Sequence, residues 1–313
     1  MSVHCFHLDT LEELKLYDAS TDSDLLQLSA GSLDFDGTLV ELSGVRLQWN
    51  RHGASLRSHE ILRGSGLQFG LVLDSPRPPK VAGCALDRGD AVLWHGGQEV
   101  EYVAPGGITV LIVEVDGALV DLLGWKLEDG SARRVPAACL RRLEQVCRSA
   151  TRSAQQSVPV DKQSLSAAGS ALIHARNKVL AALEAALRPW VTPTPAVSQN
   201  ADTRRYRLVK QVERTFERYD LNRSLNLEAI AQDLGVSRRT LFYAFSHWVG
   251  IGPYGYLKLV RLHRLREQLI ATKPGETTVA ALATELGFTQ LGHLSAIYRE
   301  HFGEYPGDTL QRR

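Results

Sequence analysis

Two stretches near the C-terminal end decide the fold: LEAIAQDLGVSRRTL, from Leu227 to Leu241, and VAALATELGFTQLGHL, from Val279 to Leu294. They repeat one pattern, offset by 52 residues up to Ser237 and Thr289 and by 53 after one inserted residue. Each matched position has a physical task. Ile230 and Leu234, like Leu282 and Leu286, are spaced as the apolar face of a short helix. Ala231 and Ala283 are small where a second helix must approach. Gly235 and Gly287 fall where the first helix ends, a place that favours positive φ. Ser237 and Thr289 carry hydroxyls suited to capping the helix that follows. Leu241 and Phe245, and then Leu294 and Tyr298, turn that helix's apolar side inward and leave the other side open. Helix, glycine turn and capped helix make the helix-turn-helix plan, here in two copies.

The likeness continues beyond the second helix. Gly250-Ile-Gly-Pro253 matches Gly303-Glu-Tyr-Pro306, with proline where a new helix starts. Between the copies, Tyr254 to Ile270 reads as one helix about 25 Å long. A rod of that order can set two recognition helices in successive major grooves, ~34 Å apart. Charge agrees. Arg204 to Arg313 holds seventeen Lys and Arg against eleven Asp and Glu, whereas the preceding residues hold nineteen against twenty-four. A basic segment on an acidic one fits a polyanion-binding module.

The open face of the first copy offers Arg238, Arg239, Phe242 and Tyr243; that of the second offers Gln290, Leu291, Gly292, His293 and Ala296. Arginine can bind guanine with two hydrogen bonds and rings can pack on thymine methyls, while phosphate contact is the alternative for each Arg. Gly292 and Ala296 offer little to a base edge, so the first copy is expected to read bases and the second mainly to dock on phosphates. Lys258, Arg261, Arg264 and Arg266 on the linking helix, Arg299 and His301, and Arg204, Arg205 and Arg207 are candidate backbone contacts or a solvated helix face.

The rest of the chain has another character. Residues 30–120 alternate short β-prone runs with Gly, Pro and Asp, including a hairpin about Ser43-Gly44 and the runs Leu67–Leu73, Val81–Leu86, Ala91–Trp94, Glu99–Val103 and Ile108–Val115. From Pro136 the period becomes helical, with Leu140, Leu143 and Val146, and a second helical stretch runs over 161–187. Their apolar stripe needs either the β-structure or a second subunit. A homodimer is expected, with Leu140, Leu143 and Val146 at its interface. Alternating prolines in 191–201 read as a linker. The expected organisation is a sensor or dimerisation domain over 1–190, a linker over 191–203 and a DNA-binding domain over 204–313, in an α+β chain.

Several classes are excluded. The longest strongly apolar run, Ile108–Val115, is too short for a membrane span, which takes ~20 residues, and the N-terminus lacks the basic-then-apolar order of a secretory signal. Cys5, Cys84, Cys139 and Cys147 show no C-x-x-C spacing, which favours a reducing, cytoplasmic setting. Cys139 and Cys147 on one helix are packed thiols or a redox pair. His52, His59 and His95 lack the close His-x-His spacing of a metal-dependent barrel enzyme, and no nucleophile elbow, P-loop or dinucleotide glycine pattern occurs. No catalytic residue, metal or cofactor is expected.

At Ala283 through Gly287-Phe288 to His301-Phe302-Gly303 and Pro306 the sequence resembles the AraC/XylS family of transcription regulators. The stretch Val236 to Phe245 with Gly250–Pro253 looks closest to the ethanolamine-utilisation regulator branch. The resemblance implies a cupin-like N-terminal β-barrel followed by the helical pair, and a C-terminal all-α domain with its two motifs on a long helix. It further implies a nucleoid-associated activator that meets double-stranded operator DNA and RNA polymerase and responds to a small-molecule effector. Trp49, His52, Trp94 and Glu114, with His59 and His95, are the candidate effector contacts, since pockets mix aromatics with a few polar groups. The alternatives are a virulence or quorum-sensing regulator whose barrel only dimerises, and a barrel enzyme fused to a DNA-binding tail.

Overall fold

The computed structural model describes residues 3–17, 21–125, 133–135, 137, 140–156, 162–187, 201–218 and 226–311. Pro136, Cys139 and most of the expected linker lie outside them. The chain divides into two compact units. The first holds residues 1–25, 33–53 and 58–198; the second holds 26–32, 54–57 and 199–313.

In chain order, the strands are β1 (Val3–Leu8), β2 (Thr21–Gln27), β3 (Phe35–Glu41), β4 (Val45–His52), β5 (Leu56–Leu62), β6 (Leu67–Asp74), β7 (Lys80–Val81), β8 (Cys84–Ala85), β9 (Ala91–His95), β10 (Glu99–Ala104), β11 (Ile108–Val115) and β12 (Arg133–Val135). Helix α1 (Leu11–Tyr17) follows β1, and α2 (Gly117–Leu122) follows β11. Two long helices, α3 (Arg141–Gln156) and α4 (Lys162–Leu187), follow β12.

Strand pairing corrects the expected barrel. Among the described residues the strands form two open sheets, β1-β3-β4-β11-β6-β9-β12 and β2-β5-β10-β7-β8, rather than one closed ring. Side chains, not backbone hydrogen bonds, join the sheets: Leu62, Val81 and Val100 from the five-stranded sheet bury against Val72, Val92 and Trp94 from the seven-stranded one. The β3–β4 hairpin turns at Ser43 and Gly44, with φ of 48° and 86°. Two positive φ values in a two-residue loop are what the right-handed strand twist requires.

The seven-stranded sheet is buried on both faces, and its alternation shows how. Leu47, Phe69, Leu71, Leu93, Leu111 and Val113 point to one side, where α3 and α4 cover them. Neighbours of opposite parity, such as Asn50, Gly70, Trp94 and Ile112, point to the other. Central β11, covered twice and flanked by β4 and β6, reads as a nearly continuous apolar run for that reason.

Helix α3 buries Leu143, Cys147, Ala150 and Ala154, a helical stripe, against the sheet and α4. This corrects the expected dimer interface at two of three residues. Leu140 and Leu143 are 1% and 0% exposed inside their own chain, and only Val146 is partly buried at the edge of that core. Cys147 belongs to the same core, where burial pushes its thiol up to about 12, so it is a packed, inert thiol.

The second unit is helical: α5 (Ala201–Arg218), α6 (Leu227–Asp233), α7 (Arg238–Trp248), α8 (Pro253–Ala271), α9 (Val279–Glu285), α10 (Leu291–Phe302) and α11 (Pro306–Gln311). Helix α8, of nineteen residues and so about 28 Å, is the expected rod. Tyr256, Leu257, Leu262, Leu265 and Leu269 bury its apolar side.

Candidate nucleic-acid interface and candidate effector cavity

The two helix pairs α6–α7 and α9–α10 realise the repeat. Asn226 Oδ1 accepts from the Glu228 and Ala229 amides to start α6, and Thr278 Oγ1 accepts from the Ala281 amide to start α9. Gly235 and Gly287 take φ of 64° and 79° at the turns, in the left-handed region that disfavours a Cβ. Ser237 Oγ accepts from the Thr240 amide at 3.1 Å and caps α7. Thr289 does not play that part in the second copy: the cap position is Gln290, whose side chain makes no capping bond. The inserted residue moved the helix start by one place.

On α7, Leu241, Ala244, Phe245 and Trp248 are buried, while Arg238, Arg239 and Tyr243 are exposed. Their surroundings differ. The Arg238 guanidinium lies over the Phe242 ring at 5.5 Å and the Tyr254 ring at 6.0 Å. Phe242 packs on Tyr254 with ring centroids 5.9 Å apart. Arg205, from α5, stands 4.8 Å over the Tyr243 ring, which stacks on His247 at 6.0 Å. Arg239 has no hydrogen bond, ion pair or ring contact among the described residues, so its five donors face outward. Stacking leaves an arginine's in-plane donors available and lowers the entropy it must lose on binding. Sequence reading missed Tyr254; its signal was an exposed aromatic right after the helix-starting Pro253.

Gln290 at the start of α10 and Leu291, Gly292, His293 and Ala296 on it are exposed, as the repeat placed them. Lys258 is exposed on α8. Arg299 is exposed but its Nη1 donates to Tyr305 Oη at 2.6 Å, and it stacks over the same ring at 4.8 Å. Three basic candidates turn out to serve the fold. Arg261 is half-buried, its Nη1 directed at the Gly287 carbonyl at 3.5 Å, and burial lowers its pKa. Arg266 is 4% exposed, donates to Glu304 Oε1 at 2.6 Å and stacks on Phe302. His301 is buried with its Nε2 3.1 Å from that of His263; burial first, and then the Arg266 charge, push it down to about 4. Helical spacing shows which face a residue is on, but not that a charged residue fills the inner one.

The first unit contains a cavity of ≈ 110 Å³ between its two sheets. His52 and Trp94 line it, together with Gln48, Asn50, Glu60 and Tyr102, which sequence reading did not single out. The available signal was the alternation Gln48-x-Asn50-x-His52 on a strand whose odd positions Val45, Leu47 and Trp49 are apolar. Trp49 has the opposite parity and sits on the helix side, its Nε1 donating to Thr151 Oγ1 at 2.9 Å with Arg148 stacked on its ring. Glu114 is not among the lining residues; it accepts from Arg46 Nη1 at 3.0 Å. His59 and His95 are not among them either. Asn50 Oδ1, His52 Nδ1 and Trp94 Nε1 are buried without a hydrogen-bond partner. Burial holds His52 near pKa 4, hence neutral at pH 7.

Among the described residues one metal-compatible group occurs, His7 with Asp34 and Asp36, on the surface. Arg51 occupies both carboxylates, with Nη2–Asp34 Oδ1 and Nε–Asp36 Oδ2 each 2.9 Å, so each is already paired with a guanidinium. No helix among the described residues is long and apolar enough to cross a membrane.

Comparison with known proteins bears on the second unit. Residues 230–312 match the helix-turn-helix domain family. The XylDLEGF operon transcriptional activator 1 of Pseudomonas putida is 33% identical over 94 residues, which cover 30% of this chain and 28% of that protein. The HTH-type transcriptional activator RhaS of Escherichia coli is 32% identical over 89 residues, 28% of this chain and 31% of that protein. A crystal structure of a probable AraC family transcriptional regulator from Rhodopseudomonas palustris shares 38% identity, covering 34% of this chain and 96% of that one with a TM-score of 0.31. The chain thus matches under a third of the length of these two curated relatives. Capped helix pairs, glycine turns and the family match agree: residues 230–312 form a helix-turn-helix domain.

Proposed function

We propose that this chain is a sequence-specific DNA-binding transcription regulator, an activator working in the cytoplasm on the nucleoid, whose first unit responds to a small molecule. The observation that carries the DNA reading is the face of α7. Arg238 and Tyr243 are pre-oriented by ring stacking and Arg239 is open, above a helix held by its buried side. We assign base contacts to Arg238, Arg239, Phe242 and Tyr243, and phosphate contacts to Lys258, Gln290, His293 and Arg299. Likeness to the ethanolamine-utilisation branch remains a reading of Val236–Phe245 and Gly250–Pro253. Selection from a random duplex pool by the full chain tests the function. Enrichment of one motif with two half-sites about one helical turn apart is expected; recovery without enrichment refutes sequence specificity.

The effector reading is supported by the cavity between the two sheets, whose wall of mostly apolar side chains includes His52 and Trp94. Activation implies RNA polymerase as a partner. We assign a homodimer contact to the outer groove between α3 and α4, lined by Val146, Ala171, His174 and Lys178, because Leu140 and Leu143 are occupied by the core. Light scattering on the full chain checks it; a monomer at every concentration removes the assignment.

A further inference from the structure

Helix α7 does not orient its outward side chains unaided. Arg238 opens the helix beside the Ser237 cap, and half-buried Phe242 stands one turn on, on the same face. Tyr254, the second residue of α8, completes the group, with its ring 5.9 Å from Phe242 and 6.0 Å from the Arg238 guanidinium. Gly252 lets the chain pass close to Phe242, whose Cδ1 lies 3.4 Å from where a Cβ would stand. Buried Pro253 then fixes the backbone just before Tyr254.

Helix α5 supplies the other partner. It packs along α7 through Tyr206 on Trp248, ring centroids 4.8 Å apart, and Phe216 on Phe245, 6.3 Å apart. That packing carries Arg205 to 4.8 Å over the Tyr243 ring, which is 56% exposed. A cation over an exposed ring is worth roughly two- to fivefold in an equilibrium, enough to bias a side chain that would otherwise sample several rotamers.

The second copy shows what these contacts serve. Counted 53 residues onward, Arg238, Phe242 and Tyr254 become Leu291, Ser295 and Gly307, and Tyr243 becomes Ala296. Rings that served the fold would stay with the buried positions, as Leu294 and Tyr298 do. These go with the arginine instead.

We infer that Arg205 and Tyr254, both outside the recognition helix, are positioning residues for base reading: Tyr254 acts through Arg238, and Arg205 acts through Tyr243. Arg205 precedes the matched residues 230–312, so the matched domain reads fully only with α5 attached. This rests on the assignment of base contacts to Arg238 and Tyr243.

The test is a pair of double-variant cycles on the full chain, read by competition between the selected duplex and single-base-pair changes of it. Arg238→Ala, Arg239→Ala and Tyr243→Ala first show which base pair each side chain reads. Tyr254→Leu is expected to lower discrimination about threefold at the Arg238 base pair and to leave the Arg239 base pair unchanged. Tyr254 is 45% exposed, so this change leaves the buried side of α8 in place. Combined with Arg238→Ala it should cost nothing further, and Tyr254→Phe, which keeps the ring, should retain the preference. Arg205→Ala should act in the same way at the Tyr243 base pair, with the preference retained in Arg205→Lys. Loss spread evenly over all base pairs, full additivity in either cycle, or a conservative variant as impaired as the disruptive one overturns the inference. If Arg238→Ala and Tyr243→Ala relax no base pair, the base-contact reading falls with it. If they each relax one and the positioning variants do not, the inference falls alone.

Discussion

Helices α7 and α10 occupy equivalent places in the repeat but face outward with different chemistry. Counting 53 residues onward, Arg238 becomes Leu291, Arg239 becomes Gly292 and Tyr243 becomes Ala296. The inner positions hold their type better: Leu241 and Leu294 are both leucine, and Phe245 and Tyr298 are both buried rings. A backbone repeat is therefore maintained by what is buried, and what is exposed is free to diverge. The comparison assigns recognition to the first copy and register to the second.

Arg239→Ala should break the comparison most visibly. A lost bidentate base contact costs about 1–3 kcal/mol of discrimination, roughly 10–100-fold, read by competition between the selected site and random duplex. A Gln290→Ala/His293→Ala double variant should weaken binding evenly across sequences. Loss of preference in the double variant and its retention in Arg239→Ala would reverse the assignment.

Next in size is an acid response confined to the second copy. Where the first copy buries Trp248, the second buries His301, depressed to about 4 beside His263 and Arg266. The unfolded chain takes up that proton near its ordinary pKa of 6.5, before the folded one does. The stabilisation is thus complete above about pH 6.5 and is lost as pH falls towards 4, on the order of 2 kcal/mol. Urea unfolding at about pH 7 and about pH 4.5 should show a smaller acid loss in His301→Phe than in the wild type. His52 titrates in both proteins and cancels. An unchanged loss would show that His301 takes up its proton without cost.

Turns should behave alike in both copies. Gly235→Ala and Gly287→Ala each force a Cβ into positive φ, at about 1–2 kcal/mol apiece by denaturant unfolding. Unequal costs would mean that one turn relaxes. The smallest effect separates the copies again: Ser237→Ala should lose about 1 kcal/mol through its cap, and Gln290→Ala close to nothing.

Much of the second unit was legible, because helical period, glycine position and capping hydroxyl are local signals. Both turns, the long α8 and the Ser237 cap were readable from sequence. The failures are non-local. Thr289 has the right side chain, yet the inserted residue makes Gln290 the cap. Arg266 and His301 look like surface charges until their partners, Glu304 and His263, arrive from elsewhere. In the first unit the hairpin at Ser43-Gly44 was plain, but an open sheet and a closed barrel have the same alternation, differing only in which edges pair. The stripe of α3 announced a partner without naming it; the sheet of its own chain covers Leu140 and Leu143. His52 and Trp94 reach the cavity wall and Trp49 faces the helices, a difference that residue type does not show because it ignores strand parity.

That parity has a consequence for measurement. Trp49 and Asn50 are successive residues of β4, one under the helices and the other in the cavity wall. A peptide unit is rigid, so any molecule that displaces the backbone at Asn50 also moves the indole on the far side, away from the ligand's own quenching. The helix-side indole would report such a displacement from the face away from the cavity.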